Sequence, residues 1–143
     1  MLTNTQASGN IGGAITTALL ASPHAPSITA ITRPDSTSTF PHGVNVARGA
    51  QDDHAFLVRT LTGHQALVLC LGFAAPVDLQ HKFIDAAAEA GVEYVFPVEF
   101  GSDTDDEKLG EAVPLMAGKK KVREYIESVG KSKWVGAVNN PWL

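Results

Sequence analysis

Three groups of residues in this chain have the types and spacing to do chemistry. The first is Gln6-Ala7-Ser8-Gly9-Asn10-Ile11-Gly12-Gly13, a glycine turn running into a helix in which Ile11, Ala14, Ile15, Ala18 and Leu19 recur on one face. Glycines ahead of such a helix let the backbone approach a pyrophosphate, which the exposed N–H groups and the helix dipole then hold. The form is x-x-x-G-x-x-G, with Gln6 where the related G-x-x-G-x-x-G pattern has its first glycine. A glycine turn that merely packs a helix on a sheet leaves the same pattern, so the turn alone does not decide.

The second group lies further along what should be the carboxyl edge of a sheet. Arg33 directly follows a predicted strand, about 20 residues past the turn, where dinucleotide folds meet the adenosine ribose. An acid at that point accepts the 2′-hydroxyl of NAD, whereas an arginine accommodates the 2′-phosphate of NADP. No acid follows the strand until Asp35, and Ser36 and Thr37 offer further donors to a phosphate. A solvated turn arginine is the plainer alternative, and position favours the NADP contact. Leu71-Gly72-Phe73 follows the fourth predicted strand, where Gly72 either lets the backbone approach a cofactor ribose or simply ends the strand.

The third group is a lysine run. Leu115, Lys119, Val122, Ile126 and Val129 are spaced 4, 3, 4 and 3 residues apart, so Lys119 falls on the stripe facing the sheet. Lys120 and Lys121 fall off it and read as a solvated basic face. A partly desolvated lysine at a cleft titrates low and serves as an acid or base. A lysine whose stem lies along the rim of the stripe fits the same spacing.

No metal site is expected. A calcium loop begun at Asp103 would put Lys108 where glycine is required and Pro114 where the bidentate glutamate belongs. The five histidines, His24, His42, His54, His64 and His81, lack ligand spacing. There is no G-x-S-x-G nucleophile turn.

These groups need a scaffold, and the periodicity supplies one. Strands are predicted at residues 1–5, 27–32, 44–47, 66–71, 93–96 and 134–138. Helices are predicted from the glycine turn to about 21, from a cap at Asp52 or Asp53 to Gly63, from Pro76 to Gly91, and over 115–129. Residues 97–114 read as a long acidic loop. Alternating strands and helices argue for an α/β fold with a doubly wound parallel sheet. In the order 3-2-1-4-5 the first strand is central, yet Met1-Leu2-Thr3-Asn4-Thr5 carries two apolar residues and is expected to bury little. Either the sheet is weak there or the natural chain begins earlier.

Composition bounds the remaining classes. With 143 residues, 44% hydrophobic and 18% charged, the chain suits one globular domain and not a disordered one. The net charge of -4 offers no attraction for nucleic acid or an anionic membrane. No apolar run approaches the ~20 residues of a membrane span, and no secretory signal is visible. Cys70, the single cysteine, sits within an apolar run and reads as a core residue. A cytoplasmic domain with no nucleic-acid or membrane partner is expected.

Ala7-Ser8-Gly9-Asn10-Ile11-Gly12, Thr32-Arg33-Pro34, Pro97-Val98-Glu99-Phe100-Gly101-Ser102-Asp103 and Gly118-Lys119-Lys120-Lys121-Val122-Arg123-Glu124 occur in that order. With them the chain resembles the NmrA-like / isoflavone reductase-like family, an atypical branch of the short-chain dehydrogenase/reductases. The resemblance covers essentially residues 1–143. It implies a Rossmann-like NAD(P)-binding domain, NADP(H) held at the glycine turn and Arg33, and a catalytic lysine at Lys119 acting as general acid/base. It also implies that no Tyr-x-x-x-Lys pair is used, and neither Tyr94 nor Tyr125 has a lysine four residues on.

The candidate cofactor residues are therefore Ala7, Ser8, Gly9, Asn10, Ile11, Gly12, Arg33, Leu71 and Gly72, with Lys119 as the candidate catalytic residue. Gln6 departs from the family turn and would crowd a pyrophosphate; Val98 replaces the serine of P-S-E-F-G. Family members run to about twice this length, so most of the C-terminal substrate region is expected to be absent. The resemblance implies an NADPH-dependent oxidoreductase acting on a small aromatic or enone-like molecule. Its alternatives are a redox-sensing regulator that binds NADP(H) and a protein partner, or an inactive truncated homologue.

Overall fold

The computed structural model describes residues 1–72, 75, 77–103, 105 and 107–139, with the backbone alone at 107, 109, 110 and 114–117. The chain runs β1 (Leu2–Thr5), α1 (Asn10–Leu20), β2 (Ile28–Thr32), β3 (Val44–Arg48), α2 (His54–Leu61), β4 (Ala66–Val68), α3 (Val77–Ala90), β5 (Tyr94–Phe96), α4 (Glu107–Ala112), α5 (Pro114–Val129) and β6 (Lys133–Trp134). The sheet order is β3-β2-β1-β4-β5-β6, and every ladder is parallel. The chain winds outward from β1 to β3, then crosses back to β4 and continues the other way. Between β1 and β4 the order reverses, and ligands of open α/β sheets bind outside the carboxyl ends of the strands at such a point.

β1 departs from expectation. Its polar residues Thr3, Asn4 and Thr5 are fully buried. Thr3 Oγ1 and Asn4 Oδ1 find no hydrogen-bond partner among the described residues, whereas the Asn4 amide nitrogen and the Thr5 hydroxyl do, each such bond contributing about 1 kcal/mol net. The Asn4 amide donates to the Gly12 carbonyl at 3.0 Å and to Thr16 Oγ1 at 2.9 Å, while the Thr16 hydroxyl donates to the same carbonyl at 2.7 Å. Thr5 Oγ1 accepts the Cys70 N–H at 2.9 Å. β1 thus binds α1 on one side and the end of β4 on the other through side chains that periodicity counts as solvent-facing.

The same bonds turn α1. Gly12 and Thr16 are its buried residues; Ile11, Ile15 and Leu19 flank them half-buried, and Ala14 and Ala18 of the expected apolar face are exposed. On the rest of the sheet the pattern reads well. Leu67, Leu69, Phe83, Val95, Val122 and Ile126 are all buried in a core built from β4, α3, β5 and α5. Asp53 caps α2, accepting the Phe56 N–H at 3.0 Å.

Three boundaries moved. The β4 ladder ends at Val68, its last bond to β5 being the Leu69 N–H to the Phe96 carbonyl (2.8 Å), and the Cys70 N–H turns to the Thr5 hydroxyl. The predicted acidic loop contains α4. The last strand pairs only over Lys133–Trp134, followed by a single parallel bridge between Gly101 and Val138. Phe73, Pro76 and Asp106 lie outside the described residues, as does the side chain of Leu115.

Candidate functional site

The turn after β1 is closed by the Gly9 N–H donating to the Gln6 carbonyl at 2.8 Å. Gly9 is then the N-cap of α1 in extended geometry, and no side chain caps it. Helix N–H groups lacking a side-chain acceptor are the donors an anion would take. Gly12 lies beneath this turn, pressed against its backbone. A Cβ at residue 12 would come within 2.4 Å of the Gln6 oxygen and 3.2 Å of the Ala7 Cα. Its part is the close approach of helix to strand, whereas a Cβ at Gly13 would meet nothing nearer than 3.6 Å.

Gln6 occupies the left-handed region, φ 51°, where glycine is favoured. Its side chain reaches across the switch point, with Oε1 3.9 Å from where a Cβ of Gly72 would stand. An amide in that position can donate to a phosphate oxygen as well as obstruct one.

A cleft of about 410 Å³ opens beside the turn, lined by Gln6, Ser8, Gly9, Thr32, Arg33 and Gln51 among others. A second hollow of about 570 Å³ shares Arg33 and Gln51 and continues over Pro34 and Ala50 to Leu79 and Lys82. Arg33 thus stands between the two, exposed, with Asp35 at 4.0 Å. Arg48 holds the intervening loop by donating to the Ser36 carbonyl at 2.6 Å.

Of the sequence candidates, Ser8, Gly9 and Arg33 line the cleft together. Asn10 and Ile11 form the first turn of α1; Ala7 and Gly12 are buried behind it. Leu71 is buried, and Gly72 is exposed beyond the end of β4. Ser38 and Gln51 also line the cleft and are not singled out by the motifs. Gln51 lies three residues past the end of β3, and that place at the carboxyl edge is the signal that finds it.

Lys119 belongs to a second cluster beyond the end of β5. Its ammonium donates to the Glu99 carbonyl oxygen. It also lies 3.4 Å from where a Cβ of Gly101 would stand. Burial lowers the Lys119 pKa, and the Glu99 carboxylate pulls it partly back. Glu99 is itself buried and pairs at 3.6 Å with the buried Arg123. Arg123 also donates to Asp105 at 2.6 Å and lies over the Trp134 ring at 5.0 Å. Gln80, unremarked in the sequence, anchors the same segment by accepting the Val98 N–H at 3.2 Å.

The turn follows β1, Gly72 follows β4 and Glu99 follows β5, three neighbouring strands with one direction. Two strand spacings separate the first from the last, roughly 10 Å. Nitrogen donors suited to an anion and a low-titrating amine therefore share one edge of the sheet.

The chain is 32% identical to the oxidoreductase aprR of Aspergillus flavus, over 96% of this chain and 47% of that protein. It is 36% identical to the phenylcoumaran benzylic ether reductase PT1 of Pinus taeda, over 62% of this chain and 29% of that protein. Among solved structures, one from a set of pinoresinol-lariciresinol and phenylcoumaran benzylic ether reductases superposes with a TM-score of 0.79 at 25% identity. The Escherichia coli quinone oxidoreductase QOR2, complexed with NADPH, gives 0.73 at 22%. These superpositions cover 96% of this chain and 49% and 47% of the other chains, so it spans about half the length of aprR and of both structures. The model of the NmrA-like family matches residues 2–138, and the chain belongs to that family.

Proposed function

We propose that this chain binds NADP(H) across the carboxyl edge of β1, β2 and β4 and serves an oxidoreductase acting on a small organic molecule. The observation that carries this reading is the cleft in which Gly9, at the uncapped start of α1, and Arg33, at the end of β2, line one wall system. The first suits a pyrophosphate and the second a 2′-phosphate. The hollow beyond Arg33 offers Pro34, Ala50 and Leu79 as apolar lining for a flat base, beside the charged Asp52, Asp78 and Lys82. An NADPH complex among the similar folds supports the same cofactor, and reductase and oxidoreductase relatives support the reaction class.

The residues present fit the group. Ser8, Gly9 and the first turn of α1 would hold the pyrophosphate, with the Gln6 side chain beside it at the switch point. Arg33 would hold the 2′-phosphate. When bound, the nicotinamide supplies or accepts a hydride. Lys119 would hold the proton that accompanies it, because burial brings the amine closer to neutrality and the Glu99 carbonyl fixes its direction.

Hydride transfer from NADPH to a panel of small enones and aryl ethers tests the assignment, with Lys119→Met beside the parent chain. Retained NADPH binding with lost turnover is the expected result. A variant that turns over as fast as the parent removes the proton role. Saturable binding by a parent chain that turns over nothing favours a cofactor-sensing role.

A further inference from the structure

Arg123 is one helical turn beyond Lys119 on the same face of α5, and both side chains meet Glu99. Its guanidinium pairs with the Glu99 carboxylate at 3.6 Å and donates to Asp105 at 2.6 Å, while its face lies 5.0 Å from the Trp134 ring centre. Glu99 and Asp105 bracket the segment whose Glu99 carbonyl accepts the Lys119 ammonium. A planar fork hydrogen-bonded to one carboxylate, paired with a second and lying over a ring fixes orientation as a point charge does not. Asp105 and Trp134 belong to different elements, so Arg123 ties the segment after β5 to β6 and to its own helix.

We propose that Arg123 is a positioning residue for Lys119, holding Glu99 and Asp105 so that the Glu99 carbonyl meets the Lys119 amine. The proposal rests on the reading of Lys119 as the proton-holding group. Electrostatics acts in the same direction: the cation takes up the Glu99 charge that would otherwise draw Lys119 toward permanent protonation. The other charged or titratable side chains described on elements packed against α5 are Asp78, His81, Lys82, Asp85 and Glu89 on α3, Lys108 and Glu111 on α4, and Lys133 on β6.

The test reads the amine itself and needs neither cofactor nor turnover. The full chain and its Arg123→Ala and Arg123→Lys variants are labelled with trace acetic anhydride across an alkaline pH series. Peptide fragmentation then separates Lys119 from Lys120 and Lys121, which are exposed on the same helix and serve as internal references. In the parent, Lys119 should reach half-maximal labelling at lower pH than the references. In both variants its midpoint should rise toward theirs, with a several-fold fall in its labelling rate at fixed pH.

Arg123→Lys keeps the charge and removes the fork, so it isolates geometry, and it decides alone if Arg123→Ala does not fold. A rise in Arg123→Ala only, a rise in neither, or a parent Lys119 that labels like its neighbours overturns the positioning role. A rise in both variants together with a Lys119→Met chain that still transfers hydride would uphold the positioning and sink the proton role.

Discussion

The carbonyl oxygen of Gln6 sits where a side chain at Gly12 would have to go, 2.4 Å from the Cβ position of residue 12. That contact joins the end of the central strand to the first turn of α1. It sets the height of the helix N-terminus over the sheet edge, and the oxygen belongs to the backbone, so it cannot swing aside.

Gly12→Ala should therefore destabilise the chain by about 1–3 kcal/mol, the range for overpacking a tight site. Gly13→Ala, whose Cβ would meet only ordinary contacts, should change stability by less than about 1 kcal/mol. Urea unfolding of the two variants side by side checks this. Equal losses would mean that the close approach does not constrain the turn.

Gln6→Gly should move the other way. A non-glycine residue at a left-handed φ is strained by roughly 1 kcal/mol, part of which is offset by the greater freedom of glycine when unfolded. A small gain in midpoint and tighter NADPH binding are expected, because the amide also leaves the switch point beside Gly72. Weaker binding would show that the Gln6 amide is a ligand to phosphate and not an obstacle.

His64 gives the fold an acid-side weakness. It is buried after α2, with Nε2 3.2 Å from Thr29 Oγ1. Burial lowers its pKa from the ordinary 6.5, against backbone bonds to Leu61 and Thr60 that raise it. The unfolded chain then takes up a proton more readily than the folded one. The stability from this group is full above 6.5 and is lost as pH falls from there through the lowered folded value. Urea midpoints of the parent should fall more between pH 7 and pH 5 than those of His64→Gln. Parallel pH profiles would remove His64 as the cause.

How far these features could be read beforehand depended on what held each element in place. α3 and α5 are set by apolar packing, and the stripes through Phe83 and Ala87, and through Val122 and Ile126, are where periodicity puts them. β1 is set by side-chain hydrogen bonds, which apolar periodicity cannot register. The partners of Asn4 lie 8 and 12 residues away, and those of Thr5 lie 63 and 65 away. α1 turned to meet Asn4, which exposed two alanines of its apparent apolar face.

The site divides along the same line. Gly9, Arg33 and Lys119 were legible because each stands at a fixed offset from a strand or on a helical stripe. Gln51, Gln80 and the bond network of Arg123 were not, since only the sheet order brings their segments together.

The central claim is that the turn at Gln6–Gly9 and Arg33 form one dinucleotide site. Fluorescence titration of the chain with NADPH and NADH, beside Arg33→Ala, tests it most directly. NADPH should bind saturably and more tightly than NADH, and Arg33→Ala should weaken NADPH by roughly tenfold or more while changing NADH little, as expected for a lost charge-assisted contact. No saturable binding of either, or equal losses for both, would contradict the account.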